Sequence, residues 1–391
     1  MKPTNTYASG PPLSIAMIGT RGMPAGDGGV ETAVEALSRE LVKRGHQVTV
    51  YGRRGYCDPD LRVHFGIRQI PLPHINTKHL EAISHTALAT SHAVARGGFD
   101  LVHFHATGPS LLSWLPHFRN VPTVATIQGM DWRREKWGPF AKQVLRLAAR
   151  VASTVPDETI VVSHVLQALL LESYGRNCHY IPNGVDLSGM ADARPVEGLG
   201  DRPFALFLGR IVPEKQVHVL IQAFSRLPGD FRLAIAGSSS HSDGYVDTVR
   251  RLAGDDDRVV MLGSRYGAEK AWLLENATVF VQPSTIEGLP IALLEALACD
   301  RFTIVSDIPE NVEAVSVDDD RPYGLVFRTG NVEDLTRKLA QALVPGAHPP
   351  RGAPPVGQAV RERYDWEHLA EQTELVYWRA LRRRGSNRAA R

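Results

Sequence analysis

Two clusters of residues could do chemistry in this 391-residue chain, and both involve charge set beside glycine. The first is Gly209-Arg210 with Glu214-Lys215, placed directly after an apolar run that reads as a strand. An arginine fork and a lysine point charge at a strand's carboxyl end can converge on a diphosphate. The plain alternative is a solvated surface loop. The second runs from Pro283 through Ser284, Thr285, Ile286, Glu287, Gly288 and Leu289 to Pro290, with Glu295 eight positions beyond Glu287. It joins a strand end to a helix, so the turn at 288–290 exposes backbone N–H groups that favour a phosphate or sugar oxygen. Glu295, two turns along, suits a ribose diol, and Glu287 suits pyranose hydroxyls. Acids at a helix start also occur for the macrodipole alone. Two acids, a Gly-Leu-Pro turn and an upstream Arg/Lys pair weigh against that simpler account.

The elements that must position these residues follow from periodicity. Residues 13–19 read as a strand, 20–29 as a Gly-rich loop, 30–44 as a helix whose Val34, Leu37 and Leu41 share a face, and 47–51 as a strand. Strand, loop, helix and strand form a right-handed βαβ unit. Further strands are expected at 101–105, 123–127, 159–162 and 180–181, with helices at 140–151 and 165–174. A second series has strands at 204–208, 232–236, 259–262, 278–282 and 302–306. Its helices fall at 217–226, 245–253, 268–275 and 291–298, and a single last helix spans 358–384. The fold class is therefore α/β, with two doubly wound, Rossmann-like domains facing a central cleft. The expected divisions are 1–186, a first Rossmann-like domain; 187–203, a Gly/Asp/Pro-rich linker; 204–357, a second Rossmann-like domain; and 358–391, a helix that packs back on the first domain and carries a basic tail.

Lys+Arg 44 against Asp+Glu 42 excludes a generally basic nucleic-acid coat, so no nucleic-acid partner is expected. Cys57, Cys178 and Cys299 are too dispersed for a metal site or disulfide framework, which points to a reducing cytoplasm. No apolar run reaches 18 residues, so nothing should span a membrane. The acidic runs 255–257 and 318–320 read as solvated loops rather than metal sites. Residues 1–12 read as a disordered lead-in and 347–355 as a structureless connector. The basic, aromatic segment 132–152 is either a core-facing helix with a basic outer face or a peripheral contact with an anionic membrane. The arginine-rich end, 379–391, reads as solvated.

Together the motifs resemble the retaining glycosyltransferases of family 4, which have the two-domain GT-B architecture, and the likeness covers most of the chain. The family's Glu-x7-Glu element matches Glu287 and Glu295, and its Gly-Arg-x3-Glu-Lys element matches Arg210 and Lys215. Residues 181–186 look like its interdomain segment. The stretch 19–32 looks like a subset acting in exopolysaccharide or glycoconjugate assembly, similar to rhamnosyltransferase-type enzymes. The resemblance implies a nucleoside-diphosphate sugar as donor, a glycan, lipid-linked saccharide or small natural product as acceptor, and no cofactor or catalytic metal. It implies that Arg210 and Lys215 neutralise the leaving diphosphate and that Glu295 holds the ribose. Glu287, Gly288 and Leu289 would orient the sugar. Gly28, Gly29 and Gly209 would admit the phosphates, because Cβ atoms would block them. The loop 263–266 would lie against the base. Many relatives place a His where this chain has Gln128, which cannot take a proton at neutral pH. A front-face displacement, in which the leaving phosphate accepts the acceptor's proton, tolerates that Gln. Asp131, His103 and His105 are the nearby candidates for acceptor contacts, although two histidines at a strand end are also ordinary core residues. A nucleotide-sugar epimerase and a non-catalytic sugar-nucleotide-binding protein are the rival readings.

Overall fold

A computed structural model describes residues 10–26, 28–58, 60–77, 80–134, 137–238, 243–316, 323–343 and 356–389. The expected lead-in up to residue 9, the acidic run 318–320 and the connector 347–355 lie outside them.

The first lobe contains strands β1 (Ser14–Ile18), β2 (Gln47–Arg53), β3 (Val63–His64), β4 (Ile67–Leu72), β5 (Leu101–His105), β6 (Thr123–Ile127), β7 (Glu158–Val161) and β8 (His179–Tyr180). Their order is β3-β4-β2-β1-β5-β6-β7-β8. All pairs are parallel except β3 with β4. The second lobe contains β9 (Phe204–Leu208), β10 (Arg232–Ala236), β11 (Val259–Gly263), β12 (Val279–Gln282), β13 (Phe302–Ser306) and β14 (Leu325–Phe327), ordered β11-β10-β9-β12-β13-β14. This is the α/β, doubly wound pair expected from the sequence.

A parallel sheet must be covered on both faces. The first is covered by helices α1 (Gly29–Lys43), α2 (Glu81–Arg96), the short α3 (Thr107–Ser110), α4 (Pro139–Thr154) and α5 (His164–Tyr174). The second has α6 (Val217–Phe224), α7 (Asp243–Gly254), α8 (Gly267–Asn276), α9 (Ile291–Ala298), α10 (Pro309–Val315) and α11 (Val332–Leu343). The chain then continues as α12 (Gly357–Arg363) and α13 (Trp366–Ala389). The helix starts have local causes. Ser163 caps α5 by accepting from the Leu166 N–H at 3.2 Å. Pro139 occupies the first turn of α4, where no N–H is needed.

The single last helix expected at 358–384 is two helices. Asp365 restarts the chain by accepting from the His368 N–H at 3.0 Å. As a result α12 lies against α9 of the second lobe, and α13 lies on α1, β6 and β7 of the first. Leu369, Val376 and Tyr377 of α13 share one apolar cluster with Ile15, Val34 and Leu37. The arginine-rich end is not free up to this point. Arg383 donates to the Asp157 carbonyl at 2.8 Å, and Arg384 lies 3.3 Å from the Asp157 carboxylate. Residues 187–203 lie along the second lobe, with Arg194 N–H donating to the Ala268 carbonyl at 3.1 Å.

The lobes share an apolar cluster. It joins Ile127, Val161 and Leu166 to Leu206, Leu293 and Val315. Glu313 of α10 also accepts from the His164 and Val165 N–H groups at 2.8 and 3.1 Å, so an acid of one lobe caps a helix of the other.

His103 and His105 sit in the middle of this first lobe. His103 Nδ1 lies 2.8 Å from the Tyr377 hydroxyl and Nε2 lies 2.7 Å from Thr126 Oγ1. Both side chains are fully enclosed. Burial pushes His105 down to about 3, His85 down to about 4, and His103 well below its ordinary value. The folded chain keeps all three neutral, whereas the unfolded chain protonates them near pH 6.5. Their contribution to stability is therefore complete above that value and is lost as pH falls toward the folded values. We expect unfolding free energy to drop below pH 6.5 by about 1.4 kcal/mol per pH unit for each histidine. Urea titrations at pH 7, 6 and 5 check this; a curve flat over that interval contradicts the burial argument.

Candidate functional site

In doubly wound sheets the crevice lies beyond the carboxyl ends of the strands where the winding reverses. Here those strands are β1 and β5 in the first lobe and β9 and β12 in the second. The loops that leave them meet across one cavity of about 800 Å³. Gly28, Gly29, Gln128 and Asp131 line it from the first lobe. Gly209, Arg210, Lys215, Glu287, Gly288, Leu289 and Glu295 line it from the second.

The electrostatics begin with Glu287. Lys215 Nζ donates to its Oε1 at 2.5 Å, and Gln282 Nε2 donates to the same oxygen at 2.6 Å. Burial pushes the Glu287 carboxyl upward, but the Lys215 charge and hydrogen bonds from Lys215, Ser284 and Gln282 outweigh it. The net result holds Glu287 below the usual carboxylate range. Glu287 is thus a fixed negative charge. The Arg210 side chain makes no hydrogen bond or ion pair among the described residues. Burial, and then Arg134 and Arg21 of the opposite lobe, weaken its hold on its proton, although an arginine stays charged. Three guanidinium groups from two lobes thus converge on one region, which favours a multiply charged anion there.

Glu295 behaves differently. Lys270 Nζ donates to its Oε1 at 2.6 Å, yet burial outweighs this and lifts the carboxyl above its usual range. The carboxylate sits on α9 as expected, but about one turn from the helix start rather than two, because α9 begins only at Ile291. Its Lys270 partner was not evident from the sequence, because α8 and α9 come together only in the fold. Gln282, Arg21, Arg134 and the Arg53–Glu81 pair (2.7 Å) are further cleft residues that sequence reasoning missed. Gln282 could have been found, since it ends the strand leading to Glu287.

Close backbone approach is real at Gly288, where a Cβ would collide with the Gln128 carbonyl oxygen; at Gly28 a Cβ would meet only the end of the Glu31 side chain, which can move aside. Asn183 Nδ2 donates to the Leu289 carbonyl at 3.4 Å, beside the first contact. The Gln128 side chain makes no hydrogen bond among the described residues, and the residue lines the cavity. Asp131 is paired with Arg134 at 3.2 Å. His103 and His105 are placed in the core rather than the cleft, since β5 is buried on both faces and the histidines bond to Tyr377, Thr126 and Met17. They cannot touch an acceptor. Of the loop 263–266, Arg265 and Tyr266 reach the cavity and Gly263 does not. Among the described residues no group of three or more His, Cys, Asp or Glu side chains could hold a metal ion. In the run 255–257, Asp256 is pulled down to about 2 chiefly by its hydrogen bond from Arg258.

Comparison with known proteins agrees with this geometry. Residues 27–188 match the family described as Glycosyltransferase Family 4, and residues 190–347 match Glycosyl transferases group 1. The alpha-maltose-1-phosphate synthase of Mycolicibacterium smegmatis is 30% identical over 68% of this chain and 74% of that protein. Sucrose-phosphate synthase from Thermosynechococcus elongatus superposes with a TM-score of 0.75 at 22% identity, covering 93% of this chain and 98% of that one. Anabaena Alr3699/HepE, solved in complex with UDP and glucose, gives 0.72 at 17% identity over 92% and 98%. The two structural likenesses establish the shared GT-B fold.

The Lys270–Glu295 pair allows a direct test. Lys270→Met leaves a buried carboxylate without its cation. We expect a loss of roughly 2 kcal/mol, below the ~3–5 of a fully enclosed pair because Lys270 keeps 24% exposure. The folded pKa of Glu295 is raised, so protonation favours the fold at low pH and that contribution fades as pH rises through the folded value. The K270M defect should therefore be larger at pH 8 than at pH 5. The double variant K270M/E295Q should recover most of it, and equal urea midpoints for the single and double variants would count against the pairing.

Proposed function

The chain belongs to glycosyltransferase family 4 and is a glycosyl-transferring enzyme of the EC 2.4 class; from that premise we propose that it moves a hexose-type sugar from a nucleoside diphosphate to a hydroxyl group, with retention at the anomeric carbon. The acceptor is a glycan, a lipid-linked saccharide or a small natural product, within exopolysaccharide or glycoconjugate assembly. One observation carries this reading: Lys215, paired with the ionised Glu287, and Arg210 line one cavity where β9 and β12 end. The uridine diphosphate held by the structural neighbour from Anabaena supports a nucleotide-sugar donor.

In this proposal the difficult charge is that of the departing diphosphate. Arg210 and Lys215 meet it as the glycosidic bond breaks, and preorganised charge in a partly dry cleft acts strongly on such a transition state. The backbone at Gly28 and Gly29 approaches the same phosphates from the opposite lobe. Glu295 accepts from the ribose, and Glu287 with the Gly288–Leu289 backbone orients the sugar. Lys215 serves two partners: it keeps Glu287 ionised and faces the phosphate. Because the cations belong to the chain, no catalytic metal or other cofactor is part of the proposal. The acceptor hydroxyl attacks on the face from which the diphosphate leaves, and a phosphate oxygen takes its proton. Gln128 contributes a hydrogen bond rather than a base. Asp131, fixed by Arg134, stands on the acceptor side. A cytoplasmic site of action accompanies this reading. Burial pushes all three thiols up to about 11, and none is in a disulfide.

With purified protein and a panel of nucleotide sugars and acceptors, Arg210→Ala, Lys215→Ala and Glu287→Gln should each lower kcat/KM by roughly 100- to 1,000-fold. Thermal midpoints separate this from misfolding. NMR of the product should show the donor's anomeric configuration, and a chelator should leave turnover unchanged. An inverted product removes the retaining mechanism. Donor converted to a different sugar nucleotide without acceptor supports an epimerase instead. Donor binding without turnover supports a non-catalytic binder.

A further inference from the structure

Helix α4 presents an apolar strip that no described residue covers. Phe140, Val144 and Leu147 recur at the i, i+4 and i+7 spacing that aligns side chains on one helical face. Phe140 is 83% exposed and Leu147 55%. The helix meets the core with a different face, through Ala148, Ala149, Ala152 and Ser153. Lys142, Arg146 and Arg150 recur every four residues, and α4 contains no Asp or Glu. The neighbouring α5 adds the exposed Leu171 and a single acid, Glu172. Short α3 packs on α4, and soon after it the chain exposes a second aromatic feature: Trp114 and Phe118, edge to face at 5.5 Å, with Phe118 76% exposed.

We infer that this face of the first lobe docks on the surface of an anionic lipid bilayer, Phe140 and Leu147 entering the interface and Lys142, Arg146 and Arg150 meeting the headgroups. Exposed aromatic and aliphatic side chains beside an acid-free cationic row complement such a surface in both hydrophobicity and charge. No helix among the described residues is long and apolar enough to cross a membrane, so the contact is peripheral. Its position bears on the cleft. Asp131, Arg134 and Trp137 line the cavity, and α4 begins two residues later at Pro139. Docking therefore sets the acceptor-side wall of the cleft beside the headgroups. The inference stands apart from the reading of the reaction, since it uses none of the residues assigned to the diphosphate.

The test is flotation of the full chain with vesicles of equal phosphatidylcholine and phosphatidylglycerol, against phosphatidylcholine alone. The protein should float with the anionic vesicles, less so in high salt, and stay at the bottom with the neutral ones. Phe140→Glu with Leu147→Glu should reduce flotation to background at an unchanged thermal midpoint. Lys142→Gln, Arg146→Gln and Arg150→Gln together should lower the partition coefficient about a hundredfold. Three results overturn the inference: no flotation with either vesicle, flotation unchanged in the Phe140/Leu147 double variant, or a dimer by light scattering that this double variant dissolves.

Discussion

A carboxylate removed from water stays ionised only if a cation and hydrogen-bond donors replace the solvent. Glu287 meets that condition through Lys215 and Gln282, which share one of its oxygens. The requirement reaches far into the fold. Lys215 follows β9 and Glu287 follows β12, and these strands are sheet neighbours although about seventy residues lie between the two side chains. Only the reversal of winding at β9 and β12 lets their loops face each other. Ser284 and Asn311 then tie the end of β12 to β13, with Ser306 Oγ donating to the Ser284 carbonyl at 2.5 Å and Asn311 donating to Ser306 Oγ at 2.9 Å. The sheet order is thus the means by which one ion pair is placed at the edge of the cleft.

The opposite wall is set by backbone contact rather than by charge. Gly288 fits beneath the Gln128 carbonyl because it has no Cβ, and Asn183 reaches the Leu289 carbonyl beside it. Away from the cleft, Glu313 caps α5 and a common apolar cluster runs from one lobe to the other. The lobes therefore meet at a few close points around a polar hollow. This arrangement suits a ligand that both lobes must grip, and Arg21 and Arg134 face Arg210 across it.

The architecture and the second lobe's charged loops were legible because each loop follows a short apolar strand directly. A charge at such a junction has few places to go except the crevice. The partners were not legible. Lys270 is one basic residue of a helix with ordinary composition, and only the packing of α8 beside α9 brings it to Glu295. Strand β4 and helix α2 escaped notice for a different reason: β4 contains Pro71, and α2 is built from Ala, Thr and His with little apolar contrast. In the sequence His103 and His105 read as cleft candidates because they end a strand, beside the plainer reading of core histidines, and the plainer reading holds. The sheet is covered on both faces there, so position along the strand did not translate into access. Asp365 likewise broke a helical pattern that was continuous in hydrophobicity.

The return of α13 has a consequence for how the molecule comes into being. Trp366, Leu369, Ala370, Val376, Tyr377 and Ala380 complete an apolar core whose other buried members lie before residue 182. During vectorial synthesis the ribosome makes the whole second lobe before it supplies them. The nascent first lobe must wait with that surface open, a state in which chaperones and proteases find their substrates. The second lobe waits in the same way, though for a shorter stretch of chain, because Val360 and Tyr364 join the cluster that holds Leu293 and Leu297.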